Sequence, residues 1–489
     1  MSRLIVWLTP LVLLGCALNP PAATVAALAP AQWQAALPMT PGLPHGGSLL
    51  QLTQWWQQFN DPVLSELIDA GQNASATVAA ARNRIAQARL TQASASGALL
   101  PSLSATANAS RARTQPNVPL ATTGQARLQT SWELDLFGGG RSAESAAQLR
   151  LVGAQALWHN ARVSVAGEVA LQYFSLKVCS QQTQLSERDA TSRFETARLS
   201  DLTATAGFTA PATAALARAS ALEASARVRQ QRADCAVQTK ALVALTALPE
   251  TDLQQKMTLQ DSKNELNQSL AQVFPSSDDL FSIANPITSL PAHTLTQRPD
   301  VFNAEREVGA ASQDVGTAQA QRYPRLTLNG TIGRLNSRSN GVSTALNTWS
   351  IGPLSLSVPV LDGGVIRANI DAARATYDQA VVQYRSVVRQ AVREVEEALV
   401  NLDSTQARQA DSAGAADGYR RSFMATEARY RNGLASLVEL EDARRSLLAA
   451  ETALITLQKE RYAAWVALYR AAGGGWTPDA PTPAPRHPS

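Results

Sequence analysis

The sequence is short of most of what an enzyme or a nucleic-acid binder needs. It has three cysteines and four histidines in 489 residues, and aromatic residues make up only 5%. The histidines, at positions 45, 159, 293 and 487, follow no metal-ligand spacing, and no serine or cysteine pairs with one in a catalytic arrangement. Net charge is only +4 and no basic block occurs, so nucleic acid is excluded as a partner. After Cys16 no apolar run approaches the roughly eighteen residues of a membrane-spanning helix. Gly138-Gly139-Gly140-Arg141-Ser142 superficially suggests a phosphate loop, but no lysine stands in the Walker position, and a strand-to-helix turn is the better reading. No catalytic site, metal or cofactor is expected, and the chain does not read as an enzyme.

What is present begins at the N-terminus. Arg3 supplies a positive n-region, Leu4 to Leu14 an apolar stretch, and Leu13-Leu14-Gly15-Cys16 ends it. A stretch this short is a signal peptide, covering 1–15, rather than an anchor helix. Leu-Leu-Gly-Cys is a bacterial lipobox, which marks Cys16 for acylation by palmitate-type chains. Each buried CH₂ contributes about 0.8 kcal/mol, so several chains make the attachment near permanent. Ala17 follows, with no aspartate to retain the protein at the inner membrane, so the expected location is the outer membrane. The anchored segment, 16–60, leads into a body extending through the periplasm. The tail, 477–489, is rich in proline and expected to be disordered.

The body is written twice. Val78–Pro101 aligns without a gap on Val301–Pro324, matching Ala81 to Ala304, Ile85 to Val308 and Ala88 to Ala311. Further on, Gly207 matches Gly433 and Ala217-Arg218 matches Ala443-Arg444. The copies run over 61–250 and 299–476, with a linker at 251–298. Each opens with a helix, about forty residues from Asp61 to Ala98 in the first copy. A strand pair follows, at 102–136 and 325–361, with apolar and polar residues alternating. Leu103 and Ala105 alternate with Ser104 and Thr106, and Leu354, Leu356 and Val358 do likewise in the second copy. Gly352-Pro353 suggests a bulge or a strand entry. A very long helical hairpin completes each copy. In the second, Val381, Tyr384, Val388, Val392, Val395, Leu399 and Leu402 form a seam at spacings of three and four between roughly Val365 and Arg431. At 1.5 Å per residue that helix is about 100 Å long. Turns near Gly207 and at Asn432-Gly433 reverse the hairpins, and Leu440, Leu447 and Leu454 carry the last helix to about Arg470.

The fold class that follows is mainly α with a small β part. Four strands cannot close a membrane barrel, which needs at least eight, and lipid tolerates no open sheet edge. Strands that span a membrane must therefore be shared among several copies of the chain.

Together these motifs resemble the TolC-like outer-membrane factor family, in its lipoprotein (NodT-type) branch. The residues that carry the resemblance are Trp55-Trp56 with Phe59-Asp61-Pro62, Leu100-Pro101, Ser131 to Gly138, Arg298-Pro299-Asp300, Asp362-Gly363-Gly364, Tyr430-x-x-Gly433-x-x-Ser436 and Ala472 to Trp476. The resemblance implies a homotrimer with a twelve-stranded barrel continued by a helical tunnel. It also implies a periplasmic membrane-fusion adaptor and a proton-driven inner-membrane pump of the resistance-nodulation-division type as partners, and a role in efflux, as in multidrug resistance, with a drug, a metal ion or a small metabolite as cargo. Tyr430, Gly433, Ser436 and Gly207 would face the adaptor at the tips. The first tip, Leu199 to Pro211, lacks the tyrosine-x-x-glycine spacing of the second. Glu439 and Asp442 match two acidic positions that in family members ring and narrow the periplasmic entrance. Ser436 and Glu439 also form a capping box, an alternative role for that carboxylate. Arg444 and Arg445 are candidates to pair with the two acids.

Cys179 and Cys235 lie equally far from Gly207, so they sit at one height on antiparallel helices and can bond in an oxidising periplasm. A free cysteine, by contrast, is often just a small buried hydrophobe. Three functions remain in view: a passive efflux duct, the duct of a type I protein-secretion system, and a coiled-coil lipoprotein with no transport role. The strand pairs argue against the last, and the lipobox favours the first.

Overall fold

The computed structural model describes residues 18–27, 34–35, 56, 61–113, 119–258 and 298–476. Cys16, Trp55, Phe59, the tail at 477–489 and most of the linker lie outside the described residues. The element order is α1 (Pro62–Ala74), α2 (Ala76–Ala98), β1 (Ser102–Ala112), β2 (Ala121–Leu134), α3 (Gly139–Thr205), α4 (Pro211–Thr246), α5 (Pro299–Ala320), β3 (Arg325–Ser339), β4 (Val342–Ser357), α6 (Val365–Arg431) and α7 (Leu437–Ala471). The two copies keep nearly equal parts: α3 and α6 are both 67 residues long, and α4 and α7 are 36 and 35. No helix among the described residues is long and apolar enough to cross a membrane.

The chain divides into two compact units, and α2, α3 and α6 each contribute residues to both. The first unit, 1–28, 81–157 and 300–387, holds the sheet. Its order is β1-β2-β3-β4, antiparallel throughout, so the two strand pairs join through β2 and β3. The register sets Ala105, Leu128, Ile332 and Trp349 side by side, and beside them Leu103, Thr130, Gly330 and Ile351. Gly352 and Pro353 together face the single residue Asn329, so of the two readings, bulge or strand entry, the structure has the bulge. Each sheet-to-helix junction is closed by an aspartate. Asp135 accepts from the Gly140 and Arg141 N–H groups at 3.0 Å, and Asp362 from Gly364 at 3.0 Å and Ile366 at 2.7 Å. These bonds satisfy helix-start donors that have no intrahelical acceptor. The glycine loop at 138–140 is such a junction.

The second unit, 29–80, 158–299 and 388–489, holds the far parts of both hairpins. Here the single helix expected over Asp61–Ala98 is in fact two. Ser75 is extended (ψ 122°), and its Oγ accepts from the Val78 N–H at 3.3 Å, so it stops α1 and caps α2. Asp61 caps α1 and is itself buried, taking the Tyr173 hydroxyl at 2.6 Å and the Lys177 ammonium at 2.8 Å. That binds α1 to α3. The seam of α6 is buried at Val388, Val395, Leu399 and Leu402, with Ala391 and Ala398 between them. Alanines fill the α3/α4 contact (Ala190, Ala197, Ala217, Ala221, Ala224), which lets the helices approach closely. Cys179 on α3 and Cys235 on α4 are joined as a disulfide, their Cα atoms 5.7 Å apart.

Candidate functional site

The two tips turn by the same device. Leu434 N–H donates to Arg429 C=O at 2.8 Å and Gly433 N–H to Tyr430 C=O at 3.0 Å; Phe208 and Gly207 make the same pair of bonds to Thr203 and Ala204. This is the Schellman closure, and it needs a left-handed residue, supplied by Gly433 (φ 73°) and Gly207 (φ 80°). Both glycines are exposed, with open space where a side chain would stand.

Beyond the turn the tips differ. Ser436 caps α7 with a full capping box: Glu439 N–H donates to Ser436 Oγ at 3.2 Å, and Ser436 N–H donates to the Glu439 carboxylate at 2.6 Å. Those bonds, with Arg429 nearby, hold the Glu439 carboxyl below its usual range. At the first tip Ala210 stands at the cap without a side-chain bond, and Pro211 fixes the first helical residue instead. Tyr430 turns inward. Its ring packs on the cluster of Ala197, Ala217, Ala221, Leu437 and Leu440, and its hydroxyl meets Ser200 Oγ at 3.0 Å.

Glu439 and Asp442 share the exposed side of α7. Asp442 pairs with Arg445 at 3.2 Å, both side chains well exposed. Arg444 does not join them, contrary to the expectation from sequence. It is buried and bonds Glu441 on its own helix, with Ser192 and Thr196 of α3 each at 3.0 Å. Glu441 in turn pairs with Arg193 and accepts from Ser220 of α4 at 2.9 Å, and Arg193 pairs with Asp189 at 2.9 Å. One network of two part-buried acids and two buried arginines thus ties α3, α4 and α7 together. Burial holds Arg444 below its ordinary pKa, while Glu441 opposes that shift. The Arg444 guanidinium also lies 5.5 Å from the Phe423 ring centre.

Sequence reasoning missed Asp189, Arg193 and Glu441. A signal existed. Arg193 falls between Ala190 and Ala197, and Arg444 continues the stripe of Leu437 and Leu440, so each charge occupies a seam position. A seam charge demands a buried partner. Among the described residues no cluster of His, Cys, Asp and Glu is placed to hold a metal.

Comparison with known proteins agrees with this geometry. The solvent efflux pump outer membrane protein SrpC of Pseudomonas putida is 27% identical over 96% of this chain and 97% of its own length. Nodulation protein T of Rhizobium leguminosarum bv. viciae is 27% identical over 97% and 94%. Outer membrane protein OprJ of Pseudomonas aeruginosa is 30% identical over 71% and 68%. Among solved structures, the outer-membrane channel OprN superposes with a TM-score of 0.75 at 27% identity, covering 93% of this chain and 99% of that one. The Campylobacter jejuni CmeC channel gives 0.78 at 22% identity, covering 96% and 97%, a likeness of fold. The outer membrane efflux protein family profile matches residues 67–248 and 290–474, more than half of the sequence, and the chain belongs to that family.

Proposed function

We propose that three copies of this chain form one passive exit duct, a twelve-stranded barrel continued by a helical tunnel. The sheet carries the reading. Leu103, Leu128, Ile332, Trp349 and Ile351 share one face, with Trp349 75% and Ile351 86% exposed, whereas Ser104, Gln129, Thr331 and Ser350 share the other. An apolar face this open suits lipid and the polar one suits a water-filled lumen. Among the described residues β1 and β4 each have one unpaired edge, which lipid does not tolerate, so neighbouring copies supply the missing strands. The duct is anchored by lipid on Cys16 and serves a periplasmic adaptor and an inner-membrane pump of the resistance-nodulation-division type. The adaptor meets the exposed tips at Gly207, Gly433 and Ser436. Energy and selection come from the pump, and relatives named for solvent efflux and pyoverdine export fit a duct whose partner selects the cargo. Glu439 and Asp442, repeated by symmetry, narrow the periplasmic entrance and favour cations.

Purified protein tests this directly. A trimeric mass in detergent and discrete cation-selective conductance in planar bilayers are expected; a monomer with no conductance overturns the reading. The Glu439→Ala/Asp442→Ala double variant is expected to conduct more, and unchanged conductance assigns both carboxylates to the helix end alone.

A further inference from the structure

The face of the sheet that carries Trp349 and Ile332 changes character toward the end where β3 turns into β4. Alternate residues share a face, so Ile332 is followed by Arg334, Asn336 and Arg338. The register sets Arg334 between Ala126 and Asn347, and puts Arg111, Thr122, Arg338 and Ser343 in one row. Arg111, Arg334 and Arg338 are all exposed. At 3.3 Å per residue Arg338 lies about 13 Å along the strand from Arg334, and Arg111 lies two strands, about 10 Å, across from Arg338. The row between them is Ala109, Gly124, Asn336 and Ala345. These short side chains leave a shallow floor framed by three cations.

The apolar band fixes the depth of these residues. From Trp349 the face runs through Ile351, Leu354 and Leu356, and exposed Val358 and Val360 extend it past the end of β4. Allowing for the bulge, Trp349 to Val360 spans roughly 33 Å at 3.3 Å per residue. At the 35–45° tilt of barrel strands that is about 25 Å upright, the height of a membrane barrel's apolar band. The band is therefore complete at Trp349, a residue type that favours the membrane interface. Arg334 stands one pleat beyond, at headgroup depth. An outward arginine is costly at mid-bilayer but not at the interface, where a phosphate can accept two parallel bonds from it. The strands offer no carboxylate in its place: 102–132 and 326–361 contain five arginines and no aspartate, glutamate or lysine. Of the other two, Arg127 belongs to the polar face and bonds Gln125 at 2.6 Å.

We infer that Arg111, Arg334 and Arg338 form a binding site for the phosphorylated sugar headgroup of an outer-leaflet glycolipid. Charge complementarity selects phosphate, as at other basic clusters that recognise lipid headgroups. The span selects the lipid. With the strand tilt, Arg111 and Arg338 stand about 10 Å further out than Arg334, which suits phosphates carried on separate sugars. A phospholipid has one phosphate close to its acyl chains and reaches Arg334 alone. The site rests on the barrel reading above, which turns this face to lipid, and a trimer repeats it three times.

Titration of the delipidated full-length protein in detergent tests the site, with bound lipid and oligomer mass read together by native mass spectrometry. The probes are diphosphoryl lipid A, dephosphorylated lipid A and phosphatidylglycerol. Diphosphoryl lipid A is expected to bind at least tenfold more tightly than either of the others. Arg334→Gln/Arg338→Gln is expected to abolish that preference with the trimeric mass unchanged. Arg334→Lys/Arg338→Lys, which keeps the charge, is expected to retain most of it, and Arg127→Gln, on the opposite face, all of it. Equal affinity for the three lipids in a trimer, or a preference that survives the double glutamine variant, overturns the site and leaves the duct standing. A preference lost in Arg127→Gln assigns the lipid to the other face and also overturns the site. A monomer without conductance overturns the duct, and with it the outward orientation that the site requires.

Discussion

The two helical hairpins have nearly the same lengths and the same turns, yet different bonds hold them. The first is internally closed. A disulfide joins Cys179 to Cys235 across its helices, alanines pack the space between, and proline sets the returning helix. At the aligned positions the second has Thr405 and Arg461, which cannot bond covalently. It is held by the capping box, by ion pairs between α6 and α7 (Arg408 with Glu460 and Arg420 with Glu451, both at 2.6 Å), and by contacts to the first, through Glu441 with Arg193 and Tyr430 with Ser200. Even aligned arginines differ. Arg444 is buried in the network, while its counterpart Arg218 meets Asp201 at 2.8 Å on the surface. Duplication preserved backbone geometry, which is set by turns and periodicity. Each copy was then free to change its cross-links.

The largest effect is expected from Glu441. Glu441→Ala leaves Arg193 and Arg444 buried without their shared carboxylate, and breaking such a pair typically costs about 3–5 kcal/mol. Thermal unfolding in detergent is expected to begin well below that of the native protein. Asp201→Ala, which breaks the exposed counterpart pair, is expected to cost less than about 1 kcal/mol. Equal losses would erase the distinction between buried and surface links.

Next is the staple. Replacing Cys179 and Cys235 by alanine is expected to destabilise the first hairpin by about 2–4 kcal/mol. Non-reducing mass spectrometry is expected to find neither thiol open to alkylation. Two alkylatable thiols at these positions, without prior reduction, would leave both hairpins equally unstapled.

The caps come third. Ser436→Ala is expected to cost about 1 kcal/mol at the second tip, read as faster hydrogen exchange over 434–440. Because the folded-state pKa of Glu439 is depressed, its contribution is present above the unfolded value, near 4.5, and lost as pH falls through the folded one. Acid is therefore expected to loosen the native second tip. The first, which has Thr213 where Glu439 aligns, is expected to be indifferent over the same range.

Smallest is Arg445→Ala. Its pair with Asp442 is exposed on both sides, and its loss is expected to change stability by less than about 1 kcal/mol.

Much of the architecture was legible because its causes are local. Seam spacing marked Val365 to Arg431 as one helix, alternation marked the strands, and a glycine after each long helix marked the tips. The height match of Cys179 and Cys235 needed only a count of residues from Gly207. The Ser75 break was not legible, since one serine in a helical run reads as an ordinary surface residue until its backbone is seen to be extended.

Everything set by neighbours along the chain is written in the residues themselves: periodicity, caps, turns and the duplication. Which distant segments meet is settled only in the folded chain. The pairing of β2 with β3 and the choice of Glu441 rather than Glu439 or Asp442 for Arg444 are both of this kind. The physical reason is that alanine-rich helices offer several faces of similar chemistry. Partner choice then depends on where a buried charge or unpaired backbone group finds its complement, and no spacing along the chain encodes that.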